Sequence, residues 1–514
     1  MKTVFVLFDS LNRRSLSSYG GEEIPTPNFE RLARKAVTFD NHYVGSLPCM
    51  PARRDLHTGR LNFMHRGWGP LEPFDHSFAA LLHNQGVYSH LISDHFHYWA
   101  DGGATYHNRY DTYEFIRGQE GDPWKAMVEP PWERFVEMYH PKQFSQQRRN
   151  NRSRHMINRE HIREYEDFPS VRCFNSGLEF LDTNRQADNW LLHLETFDPH
   201  EPFHAPAQFR EGLATDYRGP ILDWPPYARV NETWQECDEL RANYSAIVKL
   251  CDHELGRLLD DFDRHDMWKD TALIVTTDHG FLLGEHDWWA KNVMPCYNEV
   301  AHIPLFFYHP DHASQGGTRR SLLTQTMDIM PTLLELFAAP VPSEVIGSSL
   351  LPALSDSTMI NREANIYGVF GSAVNVTDGR YTCFIYPPDL HGGKLNQYTL
   401  MPMHMKAFFS LQELQESQWL PSVPFSRDTP VLCIPATPKS PFYNHQGPGV
   451  QHDTTSALYD LHTDPGQLTA LNDPKIERRM RELAIREMKR HFAPPEYFER
   501  LNLNTQNLEK EIST

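Results

Sequence analysis

The stretch SLPCMPARRDLHTGR, residues 46–60, places Cys49 two residues before Pro51 and four before Arg53. Proline suits the first turn of a helix, because the N–H it lacks has no intrahelical partner there. Arg53, Arg54, Leu56 and His57 continue a short helix that Gly59 can end. Cys49 then stands at the positive end of that helix with a guanidinium one turn away, a setting for a reactive sulfur or a bound anion. The same letters also describe a buried apolar cysteine ahead of an ordinary proline-started helix, so the rest of the chain must decide.

Further chemistry-bearing residues stand where strand-like runs stop. Four short runs rich in Val, Ile, Leu and Phe read as buried strands: TVFVLF (3–8), YSHLIS (88–93), WLLHLETF (190–197) and TALIVTT (271–277). They run into Asp9, into Asp94 and His95, into Asp198 and His200, and into Asp278 and His279. In open α/β sheets, ligands bind beyond the carboxyl ends of the strands. One polar strand end is ordinary; four that carry carboxylates and imidazoles favour a site. Asp9, Asp278 and His279 form a mixed O/N donor set for a hard or borderline divalent cation. Lys291 follows in TTDHGFLLGEHDWWAK, and prolines stiffen the loop of His200 in DPHEPF. An Asp–His pair is equally a common structural hydrogen bond, and a lysine beside two tryptophans a common surface residue lying on an aromatic face. Trp68, Trp99, Trp124, Trp288 and Trp289 suit either a pocket lining or the core.

The elements that must position these residues alternate. Helical patterns such as PNFERLARKAV and NYSAIVKLCDHELGRLLDDFDRH lie between the strand runs, which predicts a largely parallel sheet covered on both faces. A chain of 514 residues exceeds one small core, and the division falls at 1–358 and 359–514. In the second part, residues 365–386 alternate like antiparallel strands around an Asp378-Gly379 turn. Residues 387–450, rich in proline, methionine and aromatics, read as a long irregular excursion. SALYDLHTDPGQ reads as strand and turn, and PKIERRMRELAIREMKRHF as a charged amphipathic terminal helix.

A formal charge of −18 argues against nucleic-acid and anionic-membrane partners, which need a basic face. Any anionic substrate must be held by a local cluster of cations. MKTVFVLFDS lacks the features of a signal peptide, and no window approaches a membrane span. The seven cysteines (49, 173, 237, 251, 296, 383 and 433) make no CxxC, which reads as a reduced, cytoplasmic chain.

Taken in order, Asp9 in FDS, Cys49-Met50-Pro51-Ala52-Arg53 through Thr58-Gly59-Arg60, DPHEPF, TTDHGFLLGEH with Lys291, MDIMPTLLELF and SALYDLHTDPG form one series from residue 3 to about residue 470. This series resembles the type I sulfatases of the alkaline phosphatase superfamily, whose signature is C-x-P-S/A-R followed by a T-G-R-like end. The resemblance is strongest to the branch that includes phosphonate monoester hydrolases. It implies an alkaline phosphatase-like α/β/α sandwich with a smaller C-terminal α+β subdomain. It implies one divalent metal, Ca2+ or Mn2+ with Mg2+ as a third choice, at Asp9, Cys49, Asp278 and His279. It implies that a formylglycine-generating enzyme oxidises Cys49, and that the metal-bound hydrate of the aldehyde attacks the sulfur of a small sulfate ester in line. Arg53 then orients residue 49, Lys291 holds the transferred group, and His200 serves the leaving oxygen. A homo-oligomer, dimer or tetramer, also follows by analogy. The alternatives are a phosphonate monoester or phosphate diester hydrolase with the same machinery, and an inactive relative that binds sulfated ligands.

Departures from the family pattern are specific. Ser10 stands where many sulfatases carry a second carboxylate, and His279 where many carry asparagine; both resemble the phosphonate branch. ISDHFHYW replaces a Gly-Lys-x-His segment and contains no lysine, leaving His95 and His97 as alternatives for the histidine. RGWGPLEP lacks an asparagine that the phosphonate branch carries.

Overall fold

The computed structural model describes residues 1–355, 362–440 and 442–503. The expected division between residues 358 and 359 lies outside the described residues. The four expected strands lie side by side at the centre of one eight-stranded sheet. From one edge the order is Arg319–Gln325, Val37–Tyr43, His302–Tyr308, Thr271–Thr277, Lys2–Phe8, Trp190–Thr196, Tyr88–Ser93 and Thr112–Phe115. The expected strands pair in parallel, whereas His302–Tyr308 runs antiparallel to both of its neighbours.

Side-chain alternation along these strands builds two cores. Phe5, Leu7, Leu191 and Ile274 face one side, where helices Cys49–Thr58, Phe78–Asn84 and Ile329–Leu336 cover them. Val4, Val6, Phe8, Leu192, Leu194 and Val275 face the other, under helices Pro27–Lys35, Pro169–Asn184 and Trp234–Arg264. Burial on both faces explains why these strands read as continuous apolar runs. The result is an α/β/α sandwich.

A second, five-stranded sheet has the order Ala457–Asp460, Tyr381–Ile385, Val374–Thr377, Asn365–Val369 and Ser46–Leu47. Its turn at residues 378–380 uses Gly379 at φ 89°, a left-handed backbone that glycine adopts without strain. Helix Pro474–Arg490 buries Met480, Leu483, Ala484 and Met488 against Ile366, Val376 and Ile385. Ser46–Leu47 comes from the segment just before Cys49 and pairs with Gly368 and Val369, so the smaller sheet steadies the entry to the Cys49 helix.

Residues 387–450 correct one expectation. The segment is not irregular throughout: Asn396–Thr399, Gln418–Leu420 and Val431–Pro435 form a small antiparallel sheet, with a short helix at Leu411–Gln415. Strands this short, with prolines between them, leave too few alternating positions for a period to be read.

Candidate active site

Strand register gathers the site. Phe8 pairs with both Thr196 and Thr277, so the three strands end level and release Asp9, Asp198 and Asp278 at one edge. Cys49 opens the helix Cys49–Thr58, which closes at Gly59 with φ 65° and a 2.9 Å bond from its N–H to the Asp55 carbonyl. Asp55 anchors this helix to its surroundings. It accepts from Ser46 N at 2.6 Å, Ser46 Oγ at 2.9 Å and Asn62 Nδ2 at 2.6 Å.

The four residues expected at a metal come together. One ligand atom each from Asp9, Cys49, Asp278 and His279 lies within 4.8 Å of the others, and all four are buried. Cys49 Sγ is 3.2 Å from His279 Nε2 and 3.9 Å from Asp9 Oδ1. His279 Nδ1 lies 2.9 Å from the Gly280 carbonyl; a proton on Nδ1 donates to that oxygen and leaves the Nε2 lone pair facing the cluster. Burial holds His279 neutral, its pKa lowered to about 3. Two carboxylates and a neutral imidazole presenting a lone pair fit a divalent cation. The Cys49 thiol is pushed well above its ordinary pKa by burial and then by Asp9. The helix start by itself therefore does not depress the thiol pKa.

Arg53 spends its guanidinium on the carboxylates. It reaches Asp9 Oδ2 at 3.0 Å, Asp278 Oδ2 at 2.6 Å and Glu195 Oε1 at 2.6 Å, and donates to the Cys49 carbonyl at 3.1 Å. It thus fixes residue 49 through the backbone. Lys291 Nζ donates to Ser10 Oγ at 3.2 Å and lies 3.9 Å from Asp9 Oδ1 and 3.8 Å from Glu201 Oε2. Burial opposes its charge, but the acidic groups around it hold its pKa above the ordinary lysine value. His200 Nδ1 lies 2.5 Å from the Glu201 carbonyl and 3.3 Å from Glu201 Oε2. Burial, then Lys291, keeps this imidazole well below its ordinary pKa.

Not every strand-end residue joins. Asp198 turns away to Gln119 Nε2 at 2.6 Å and Ser170 Oγ at 2.5 Å, and Asp94 accepts from the Phe197 N–H at 2.7 Å. His95 is fully buried; both of its ring nitrogens and Nδ1 of His97 have no partner among the described residues. The His95 ring is 4.7 Å from Phe197, which also lies 4.1 Å from His200. Of the tryptophans, Trp68 faces His97, whereas Trp99 stacks on Phe115, Trp124 lies beneath Lys125, and Trp288 and Trp289 bond Asp453 and Glu232. Glu195 and Glu201 were not anticipated. A glutamate inside the apolar run WLLHLETF was the available signal for Glu195, since a buried carboxylate demands a partner.

The sulfatase family model matches residues 2–339, and the chain belongs to that family. It is accordingly a hydrolase acting on sulfuric ester bonds, built on the alkaline phosphatase fold. It is similar to the N-acetylglucosamine-6-O-sulfatase of Bacteroides thetaiotaomicron, with 24% identity over 401 residues, 69% of this chain and 70% of that one. It is 27% identical over 380 residues to the multifunctional alkaline phosphatase superfamily protein PehA of Trinickia caryophylli, 65% of this chain and 72% of that one. The solved phosphonate monoester hydrolase of Agrobacterium radiobacter shares the fold, with TM-score 0.64 and 18% identity over 95% of this chain and 96% of that one.

Proposed function

We propose that this chain hydrolyses a small sulfate ester, with residue 49, oxidised from cysteine to formylglycine, as the nucleophile. One observation carries the reading: Cys49 opens a buried helix with its side chain among Asp9, Asp278 and His279, where residue 49 can face a bound cation and an incoming ester together. The hydrate of an aldehyde offers two hydroxyls on one carbon. One attacks sulfur in line, its proton is lost and the ester's alcohol departs. The second then loses its proton, the C–O bond to the sulfate breaks, and the aldehyde returns for water to hydrate again.

Asp9, Asp278, His279 and residue 49 would hold a divalent cation, calcium or manganese before magnesium, which would lower a hydroxyl pKa and shield anionic oxygens. Arg53 keeps Asp9 and Asp278 aligned. Lys291 holds the charge of the transferred group, and aiming such charge at the transition state is usually the largest catalytic term. His200 protonates the leaving alcohol. An arriving anionic ester and the Glu201 carbonyl at 2.5 Å both favour the imidazolium it needs.

Asp9, Asp278 and Glu195 face two cations, Arg53 and Lys291, within hydrogen-bond or ion-pair reach. So lean a cation supply suits a singly charged group over a phosphate monoester, which carries about two charges near neutral pH. A second reading keeps the same machinery and takes a phosphonate monoester or phosphate diester, also singly charged. Ser10 and His279 favour it. An inactive relative would lack the metal set, which is present. The reading also includes a formylglycine-generating enzyme as partner, a cytoplasmic dimer or tetramer, and a catalytic part ending near residue 358.

The test is an intact-mass spectrum of the purified protein beside parallel assays of sulfate and phosphonate esters. An aldehyde at residue 49 and faster sulfate turnover are expected. A fully active protein with an unmodified thiol would overturn the mechanism.

A further inference from the structure

The segment after strand Tyr88–Ser93 brings two buried histidines to the site and no cation. A cation reaches the same place from elsewhere. Lys406, in the 387–450 segment, sets its ammonium 5.9 Å from the ring centre of Trp68 and 5.4 Å from that of Phe96. Both rings pack on His97, at 5.3 and 4.3 Å, and His97 lies 4.9 Å from His95. A continuous run of rings therefore links Lys406 to His200 through Phe197.

The loop that carries Lys406 is built to hold it there. Gly102 N donates to the Met405 carbonyl at 2.9 Å, Arg66 donates to the Met403 carbonyl, and His404 Nε2 lies 3.0 Å from Glu413 Oε1. A Cβ at residue 102 would come within 2.6 Å of the His404 carbonyl oxygen, so the docking requires glycine. Lys406 is exposed, and no carboxylate among the described residues lies within ion-pair distance of it. The surrounding protein lowers its pKa by desolvation, while Glu120 and Cys49 act to raise it. Around it, Trp68 Nε1, His97 Nδ1 and Glu120 Oε2 are buried without hydrogen-bond partners among the described residues. Buried polar atoms normally have partners, and several unpaired together mark a place that a ligand completes.

We propose that Lys406 determines specificity for the alcohol half of the ester, its ammonium binding an anionic substituent there, a carboxylate or a second sulfate. The inference rests on the sulfatase reading in one respect: the transferred group sits against residue 49, Lys291 and His200. The alcohol half then extends toward solvent, across Trp68 and Phe96 to the uncommitted ammonium. Glu120 Oε1 accepts from Asn151 Nδ2 at 3.1 Å, while its Oε2 has no hydrogen-bond partner among the described residues.

The test compares two aryl sulfates of matched leaving-group pKa, one bearing a carboxylate and the other its carboxamide. The wild-type protein should favour the carboxylate ester, and Lys406→Ala should shrink that ratio of kcat/KM about tenfold, mainly through KM, as expected for a hydrogen bond to a charged partner. Lys406→Arg should retain most of the ratio. Calorimetric binding of the carboxylated phenol to the wild-type protein should weaken about tenfold in Lys406→Ala. An unmoved ratio with unmoved binding overturns the proposal and leaves the sulfatase reading standing. Absence of turnover with either ester in wild type overturns that reading instead, while the phenol binding still decides the role of Lys406.

Discussion

Replacing Arg53 with methionine removes the guanidinium while roughly keeping its volume. Three buried carboxylates, Asp9, Asp278 and Glu195, then lose a partner that now stands 2.6 to 3.0 Å away. Breaking a buried ion pair costs about 3–5 kcal/mol, because a charge is left behind without compensation. Unfolding entropy of about 2.1 cal/mol/K per residue, over 514 residues, converts 1 kcal/mol into a shift of about 1 °C. Scanning calorimetry of Arg53→Met should therefore show a Tm lower by about 3–5 °C. The deficit should be larger after chelation, since a divalent cation neutralises part of the charge on Asp9 and Asp278. It should shrink as the pH falls from about 8 to about 5, because stranded carboxylates have raised folded-state pKa values and folding then takes up protons. Arg53→Lys keeps one charge but cannot span three carboxylates, so Tm should recover in part while turnover stays low. A chelated Arg53→Met protein that melts within about 1 °C of wild type would refute the reasoning.

Cys49→Ala should abolish turnover and leave Tm nearly unchanged, whereas Cys49→Ser should give at most a burst of adduct in rapid-quench measurements; full activity in the alanine variant would reduce the signature to a helix start. Asp278→Asn should lower both metal content, read by elemental analysis, and rate, and unchanged occupancy would show that the donor set had been misread. His200→Ala should slow esters of poor leaving groups far more than activated aryl esters, while Lys291→Ala should slow both alike. Equal slowing in His200→Ala would move the acid role to His95 or His97.

The sheet was legible because its central strands are buried on both faces. Thr271–Thr277 and Tyr88–Ser93 have the bounds that their apolar letters suggest, and Lys2–Phe8 differs at its start by one residue. Val37–Tyr43 escaped notice, since VTFDNHY mixes polar and apolar residues without clean alternation. The outer strand Arg319–Gln325 hid for the same reason, with an irregular register against its neighbour. The residues expected at the metal were readable from strand ends because the register is level there. Lys406 was not readable at all: nothing near it in sequence shows that its loop docks on Gly102.

Ser10 shows how a departure from the family pattern is absorbed. Its backbone sits at φ 62°, a left-handed conformation that costs a non-glycine residue on the order of 1 kcal/mol or more. The turn gives the side chain a place between two charges: Ser10 Oγ donates to Asp9 Oδ1 at 2.8 Å and accepts from Lys291 Nζ at 3.2 Å. A carboxylate at this position would add a negative charge beside Asp9 and consume the charge of Lys291. A hydroxyl leaves that ammonium available to an incoming anion while still fixing the Asp9 carboxyl, whose other oxygen belongs to Arg53. One small side chain therefore sets how much positive charge the site can offer.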